Sequence, residues 1–190
     1  MWKRIALFLV VLLLAACGKT IPDAKNWPVE DFTFVDQSGQ PFGLRDLKGK
    51  VWVADFIFTN CETVCPPMTA HMAKLKEKAE EKGLDVEFVS FSVDPEVDTP
   101  EKLAAYAKQF TNDLANWHFL TGYSPAEISE LAQKSFKTMV QKPAGDDQVI
   151  HGTSFYLVGP DGKVVQTYSG VQDVPYDTIL EHIEILQSSQ

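Results

Sequence analysis

The stretch VWVADFIFTNCETVCPPMTAHMAKL, residues 51–75, decides how the rest of the chain is read. Residues 51–58 are apolar at alternate and intervening positions alike, with Asp55 the exception. That pattern predicts a strand covered on both faces, at the centre of a sheet. After the two cysteines, Pro66 and Pro67 suit a first helical turn. MTAHMAKLKEKAEEKG then reads as a helix stopped at Gly83. Cys61 and Cys65 therefore lie between the carboxyl end of a strand and the start of a helix. Open α/β sheets place their sites at that edge. The free N–H groups and partial positive charge of a helix start favour thiolate over thiol. Four positions on a helical turn bring both sulfurs to one face, in reach of each other or of one metal ion. The pair can be a disulfide switch or a metal clamp.

Working outward, FTFVDQSGQPFGL (32–44) looks like a hairpin turned at Gln37–Gln40. VEFVSFSVD (86–94) reads as a strand. TPEKLAAYAKQF (99–110) reads as a helix with Thr99 as its cap and Pro100 at its first position. WHFLTG (117–122) is a short strand and SPAEISELAQKSF (124–136) another capped helix. Residues 137–150 have weak periodicity and predict a loop or short hairpin. TSFYLVGPDGKVVQTYSG (153–170) is a hairpin turned at Gly159–Gly162, and VPYDTILEHIEILQ (174–187) an amphipathic helix. The expected fold class is α/β: a thioredoxin-like three-layer sandwich, a central mixed sheet flanked by helices, with an N-terminal hairpin extension.

Residues 1–16 read as a leader. Lys3 and Arg4 precede twelve apolar residues, Ile5 to Ala16, too short for a comfortable membrane span. LAAC followed by Gly18 is similar to a bacterial lipoprotein signal, in which Cys17 is exposed by cleavage and acylated, with palmitate for example. Residues 17–30, polar with two prolines, then form a lipidated tether, and residues 31–190 the folded domain. The expected location is the extracytoplasmic face of a bacterial cell membrane, where disulfides persist. Two of the 17 basic residues fall in the leader, leaving 15 against 26 acids, a net −11. So acidic a body argues against nucleic-acid binding.

With Cys17 taken by lipid, Cys61 and Cys65 are the remaining thiols. Among the histidines, His71 sits on the first helix, His118 in a short strand and His182 beside Glu181 in the last helix; all three read as structural or exposed. His151, in IHGTSFYLV, precedes the strand at 153–158. In a thioredoxin-like sheet the loop before that strand faces the cysteine loop, so His151 should approach both sulfurs. Two thiolates and one imidazole favour copper over magnesium, calcium or manganese. Two thiolates cancel the charge of Cu(II), while Cu(I) leaves the site at −1. Zinc accepts the same donors, though its structural sites usually hold four. The thiols must be reduced to bind a metal, so the sulfurs can switch and clamp but not at once.

FIFTNCETVCPPM, FSVDPEVDTPEKL and HGTSFYLVGPDGKVV together resemble the Sco/SenC family of copper-binding assembly factors for cytochrome c oxidase, over about residues 28–187. The resemblance implies a thioredoxin-like fold and copper ligands at Cys61, Cys65 and His151. It also implies a role in delivering copper to the dinuclear copper centre of the oxidase's copper-bearing subunit, or in reducing that centre's thiols. The chain departs from thioredoxins in the extra residue between its cysteines and in Thr153, where a cis-proline is expected. Asp94 matches the family's DP motif; it either orients a ligand from behind or forms a turn before Pro95. Asp55, six positions before Cys61, either accepts a thiol proton or points to a sheet edge. Met68 and Met72 could offer thioethers to Cu(I), though core packing is their more ordinary use.

The expected function is that of a membrane-anchored metallochaperone. The alternative is a thiol-disulfide reductase that keeps the oxidase's copper-ligand cysteines reduced and is itself kept reduced by a partner. A thiol peroxidase is a third reading, disfavoured because Arg45, the sole arginine outside the leader, is far from the cysteines in sequence.

Overall fold

The structure, a computed structural model, describes residues 20–188. The leader and Cys17 lie outside these residues. In chain order the strands are β1 (Trp27–Pro28), β2 (Thr33–Val35), β3 (Pro41–Gly43), β4 (Val51–Ile57), β5 (Val86–Ser92), β6 (Trp117–Leu120), β7 (Val140–Gln141), β8 (Ile150–His151), β9 (Ser154–Val158) and β10 (Lys163–Ser169). The helices are α1 (Cys65–Glu81), α2 (Pro100–Ala107), α3 (Pro125–Phe136) and α4 (Tyr176–Ser188).

Six strands form the central sheet in the order β1-β10-β9-β4-β5-β6. β4, β5 and β6 are parallel, linked through α1 and α2, and β9 and β10 return antiparallel as a hairpin. All seven residues of β4 are buried, as the unbroken apolar run predicts. Because side chains alternate along a strand, β4 serves two cores. On one face, Trp52 and Phe56 meet Phe91, Phe136 and Tyr156, an aromatic cluster closed from outside by α3 and by Phe32 of the N-terminal segment. On the other, Asp55 stands opposite Ser90, under the side of the sheet where α1 begins.

Local chemistry sets three helix ends where the sequence placed them. Thr99 Oγ1 accepts the Lys102 N–H at 3.3 Å, and Ser124 forms a capping box with Glu127. Gly83, at φ +69°, closes α1 in a left-handed turn in which the Leu84 N–H reaches the Ala79 carbonyl at 2.9 Å. The expected hairpin at 32–44 is β2–β3, a separate two-stranded sheet. The weakly periodic segment after α3 does form a hairpin, β7–β8, with Val140 opposite His151.

Several boundaries differ from expectation. α1 begins at Cys65 itself, not after it. β5 ends at Ser92 and α2 at Ala107, short of the expected 94 and 110. Part of the segment read as tether is laid on the domain: Trp27 pairs with Val164, and the Lys25 N–H reaches the Val165 carbonyl at 2.9 Å. No helix among the described residues is long and apolar enough to cross a membrane.

Phe91 is fully buried, with Phe32, Phe56 and Phe136 centred 5.3–5.8 Å from its ring. Phe91→Ala is expected to cost about 3–5 kcal/mol, read from urea unfolding of the reduced protein. A cost below about 1 kcal/mol would show that this cluster does not carry the core.

Candidate metal centre

β4 ends at Ile57 and delivers a tight turn in which the Cys61 N–H reaches the Phe58 carbonyl at 3.3 Å. The chain then enters α1 at Cys65. No side chain of Val64 caps this helix. Instead the Cys65 N–H points at Cys61 Sγ, 3.3 Å away, so a sulfur takes the place of the usual capping oxygen. Both cysteines are free and buried. The first turn of α1 holds no acidic residue, so the sulfur meets an uncompensated partial positive charge.

This arrangement splits the two thiols. The Cys65 thiol donating to Cys61 holds the Cys61 pKa far below the ordinary thiol range; burial opposes this, and backbone N–H groups add to it. The Cys65 pKa is raised, first by the same bond and then by burial. Reduced protein therefore presents a thiolate at Cys61 and a thiol at Cys65.

His151 arrives from β8, on the hairpin face it shares with Val140. Its Nδ1 lies 2.9 Å from the Gly152 carbonyl, which can only accept, so Nδ1 carries the proton. Nε2 is left with its lone pair toward Cys65 Sγ at 3.4 Å. The Phe58 ring meets the imidazole edge-on with centroids 5.8 Å apart. One donor atom each from Cys61, Cys65 and His151 lie within 4.8 Å of one another.

Gly152 makes that approach sterically feasible. A Cβ there would stand 2.2 Å from Thr138 Oγ1 and 3.2 Å from the Tyr156 hydroxyl. Nothing in IHGT marks this role for the glycine, because only packing shows what lies against it.

The other candidates separate. Asp55 is fully buried in β4, and neither carboxylate oxygen has a hydrogen-bond partner. Burial pushes its pKa up to about 7. Asp94 is buried too, but Lys142 holds it at 2.9 Å, and Lys142 directly follows β7 in the hairpin that carries His151. Met68 and Met72 are fully buried core residues. His71 bonds to Tyr176, His182 to Tyr168 and His118 to Glu87. Arg45 lies on the surface beside Asp46. Behind the site, Thr69 Oγ1 links the Cys65 carbonyl (2.9 Å) to the Tyr106 hydroxyl (2.8 Å), a connection with no motif to announce it.

A thioredoxin-like sheet whose cysteine pair has gained an imidazole donor defines a narrow class of proteins. The SCO1/SenC family model matches residues 22–187, and the chain belongs to that family. It is 54% identical over 183 residues to the SCO1 protein homolog of Bacillus subtilis, covering 96% of this chain and 95% of the relative. A SCO1/SenC family lipoprotein from Bacillus anthracis superposes with a TM-score of 0.87 at 54% identity, over 88% of this chain and 99% of that one. BsSco, described as a member of the Sco family of cytochrome c oxidase assembly proteins with a disulfide switch, gives 0.84 at 53% identity, over 90% and 100%. Copper-bound ScoI of Arabidopsis thaliana gives 0.69 at 28% identity, over 84% and 98%.

Asp55 generates a pH test. Its folded pKa of about 7 lies above the ordinary 3.8, so the folded state keeps a proton that the unfolded chain has lost. Its contribution is complete below the lower value and declines as pH rises through the upper, by about 4 kcal/mol in all. In Asp55→Asn that decline is absent. The stability difference between variant and parent, from urea unfolding at pH 5 and pH 8, should move by roughly 3 kcal/mol in the variant's favour. A difference that does not change with pH would contradict the burial of a titrating carboxyl.

Proposed function

We propose that this protein is a membrane-tethered copper-binding assembly factor for cytochrome c oxidase. In this reading Cys17 carries the lipid and the domain works at the extracytoplasmic membrane face. Cys61 and Cys65 bind copper as thiolates and His151 as a neutral imidazole through Nε2. The observation that carries it is the convergence of the three donor atoms within 4.8 Å, with the imidazole tautomer already set by Gly152. Soft sulfur donors with one nitrogen select copper among the common biological metals. Support also comes from the family and from the copper-bound state of the Arabidopsis thaliana relative.

Loading requires that Cys65 lose its proton, since Cys61 already stands as thiolate. Asp55, buried and electrostatically coupled to Cys65, takes that proton once its own has left, above about pH 7. Asp94 acts through Lys142, holding the hairpin that presents His151. The cargo passes to the copper-bearing subunit of the oxidase, whose dinuclear centre needs copper in the same soft-donor chemistry.

A second reading rests on the split of the two thiols. A low-pKa Cys61 is a competent nucleophile toward a partner disulfide. Its sulfur attacks, a mixed disulfide forms, and Cys65 displaces the partner thiol. The partner gains two electrons, one proton from Cys65 and one from solvent, this chain keeps the disulfide, and an external thiol reductant restores it. That cycle makes no use of His151 as a ligand.

Reduced protein is expected to bind about one copper per chain with a thiolate-to-Cu(II) absorption band. The band vanishes in Cys61→Ala, and affinity falls more than about 100-fold in His151→Ala, beyond what loss of an outer partner alone causes. Competitive copper titration measures both. Unchanged affinity in His151→Ala refutes the ligand assignment, and oxidase assembly rescued by that variant in a deletion strain would favour the reductase.

A further inference from the structure

The turn that carries Cys61 is pinned by a residue outside the cysteine and histidine motifs. Asp98 is buried to 1% exposure. Its carboxylate accepts the Thr59 N–H at 3.2 and 3.3 Å, the Thr59 hydroxyl at 2.5 Å and the Ser92 hydroxyl at 2.6 Å. Its backbone carbonyl accepts the Thr121 hydroxyl at 2.7 Å. Thr59 follows β4, Ser92 ends β5 and Thr121 follows β6. One residue thus ties together the carboxyl ends of all three parallel strands, the edge at which the sulfurs stand.

The bonds suit a clamp on the cysteine turn. Thr59 lies between Phe58, whose carbonyl takes the Cys61 N–H, and Cys61 itself. The Phe58 ring is the one set edge-on to His151. Fixing Thr59 therefore fixes one sulfur ligand and the apolar backing of the nitrogen ligand. Asp98 is itself fixed, its N–H bonded to the Asp94 carbonyl at 2.9 Å. A buried carboxylate is costly unless its lone pairs are taken up, and here three donors take them up.

We propose that Asp98, acting through Thr59 and Ser92, is the positioning residue that sets the cysteine turn in its metal-binding geometry. This deepens the copper-binding reading and rests on it for its affinity test. Outer partners of metal ligands typically control about 10- to 100-fold in affinity, and the clamp is expected to do the same. Asp36 supplies the control, because it is also buried and hydrogen-bonded, to the Ser38 N–H at 2.8 Å and the Gln40 N–H at 3.0 Å, but it serves only the β2–β3 turn.

The experiment compares Thr59→Val, Asp98→Asn and Asp36→Asn in the reduced full chain. It measures competitive Cu(II) titration against a chelator, the energy of the thiolate-to-Cu(II) band, the midpoint potential of the Cys61–Cys65 couple, and urea unfolding. Thr59→Val and Asp98→Asn are expected to weaken copper binding by about tenfold or more and to shift both the band and the potential. Asp36→Asn should move unfolding alone. Thr59→Val removes one hydroxyl at nearly constant volume and decides the matter if Asp98→Asn does not fold. The proposal is overturned if the two clamp variants lose stability while affinity, band and potential stay at parental values, or if Asp36→Asn shifts them equally. A parent that binds no copper would instead refute the copper reading, and the dithiol potential would then judge the clamp alone.

Discussion

The constraint on which the site depends is the abrupt passage from a buried central strand into a helix whose first N–H is capped by sulfur. β4 ends at Ile57 and the chain turns within a few residues, and α1 cannot begin without something to receive its leading N–H groups. Cys61 answers that need, with its sulfur 3.3 Å from the Cys65 N–H. The two cysteines are therefore electrostatically unequal before any metal arrives. One sulfur is charged by its neighbour's thiol and by the helix start; the other is kept neutral by that same bond and by burial.

The third donor is brought by a much weaker element. β7 and β8 are two residues each, with Val140 opposite His151 and Gln141 opposite Ile150. So short a ladder has little stability of its own. It is held from outside, by Lys142 on the buried Asp94 and by close packing of Gly152 on Thr138. The dithiol is thus set on the rigid sheet and the imidazole on a lightly held hairpin, which could move without disturbing the sheet.

Much of this was readable from the residues. The all-apolar run around Asp55 announced a central strand. Thr99, Ser124 and the two prolines announced the helix starts, because caps and fixed φ angles are local chemistry. Cys61, Cys65 and His151 were legible because strand order in a thioredoxin-like sheet makes distant segments neighbours. What stayed hidden depends on tertiary packing. Asp98 stands four residues after Asp94 in SVDPEVDTP, and nothing local distinguishes a carboxylate clamping Thr59 from one forming a turn. Trp27 looked like part of a tether because two-residue edge pairing with β10 leaves no periodicity. Asp94 carried the DP motif, yet its partner Lys142 lies 48 residues downstream in the least patterned part of the chain.

X-ray absorption at the copper edge of the reduced, copper-loaded chain tests the convergence of two sulfurs and one imidazole most directly. Two sulfur scatterers and an imidazole nitrogen, with the nitrogen signal lost in His151→Ala, are the predicted result. A copper environment without sulfur, or one whose nitrogen signal is unaffected by removing His151, would contradict it.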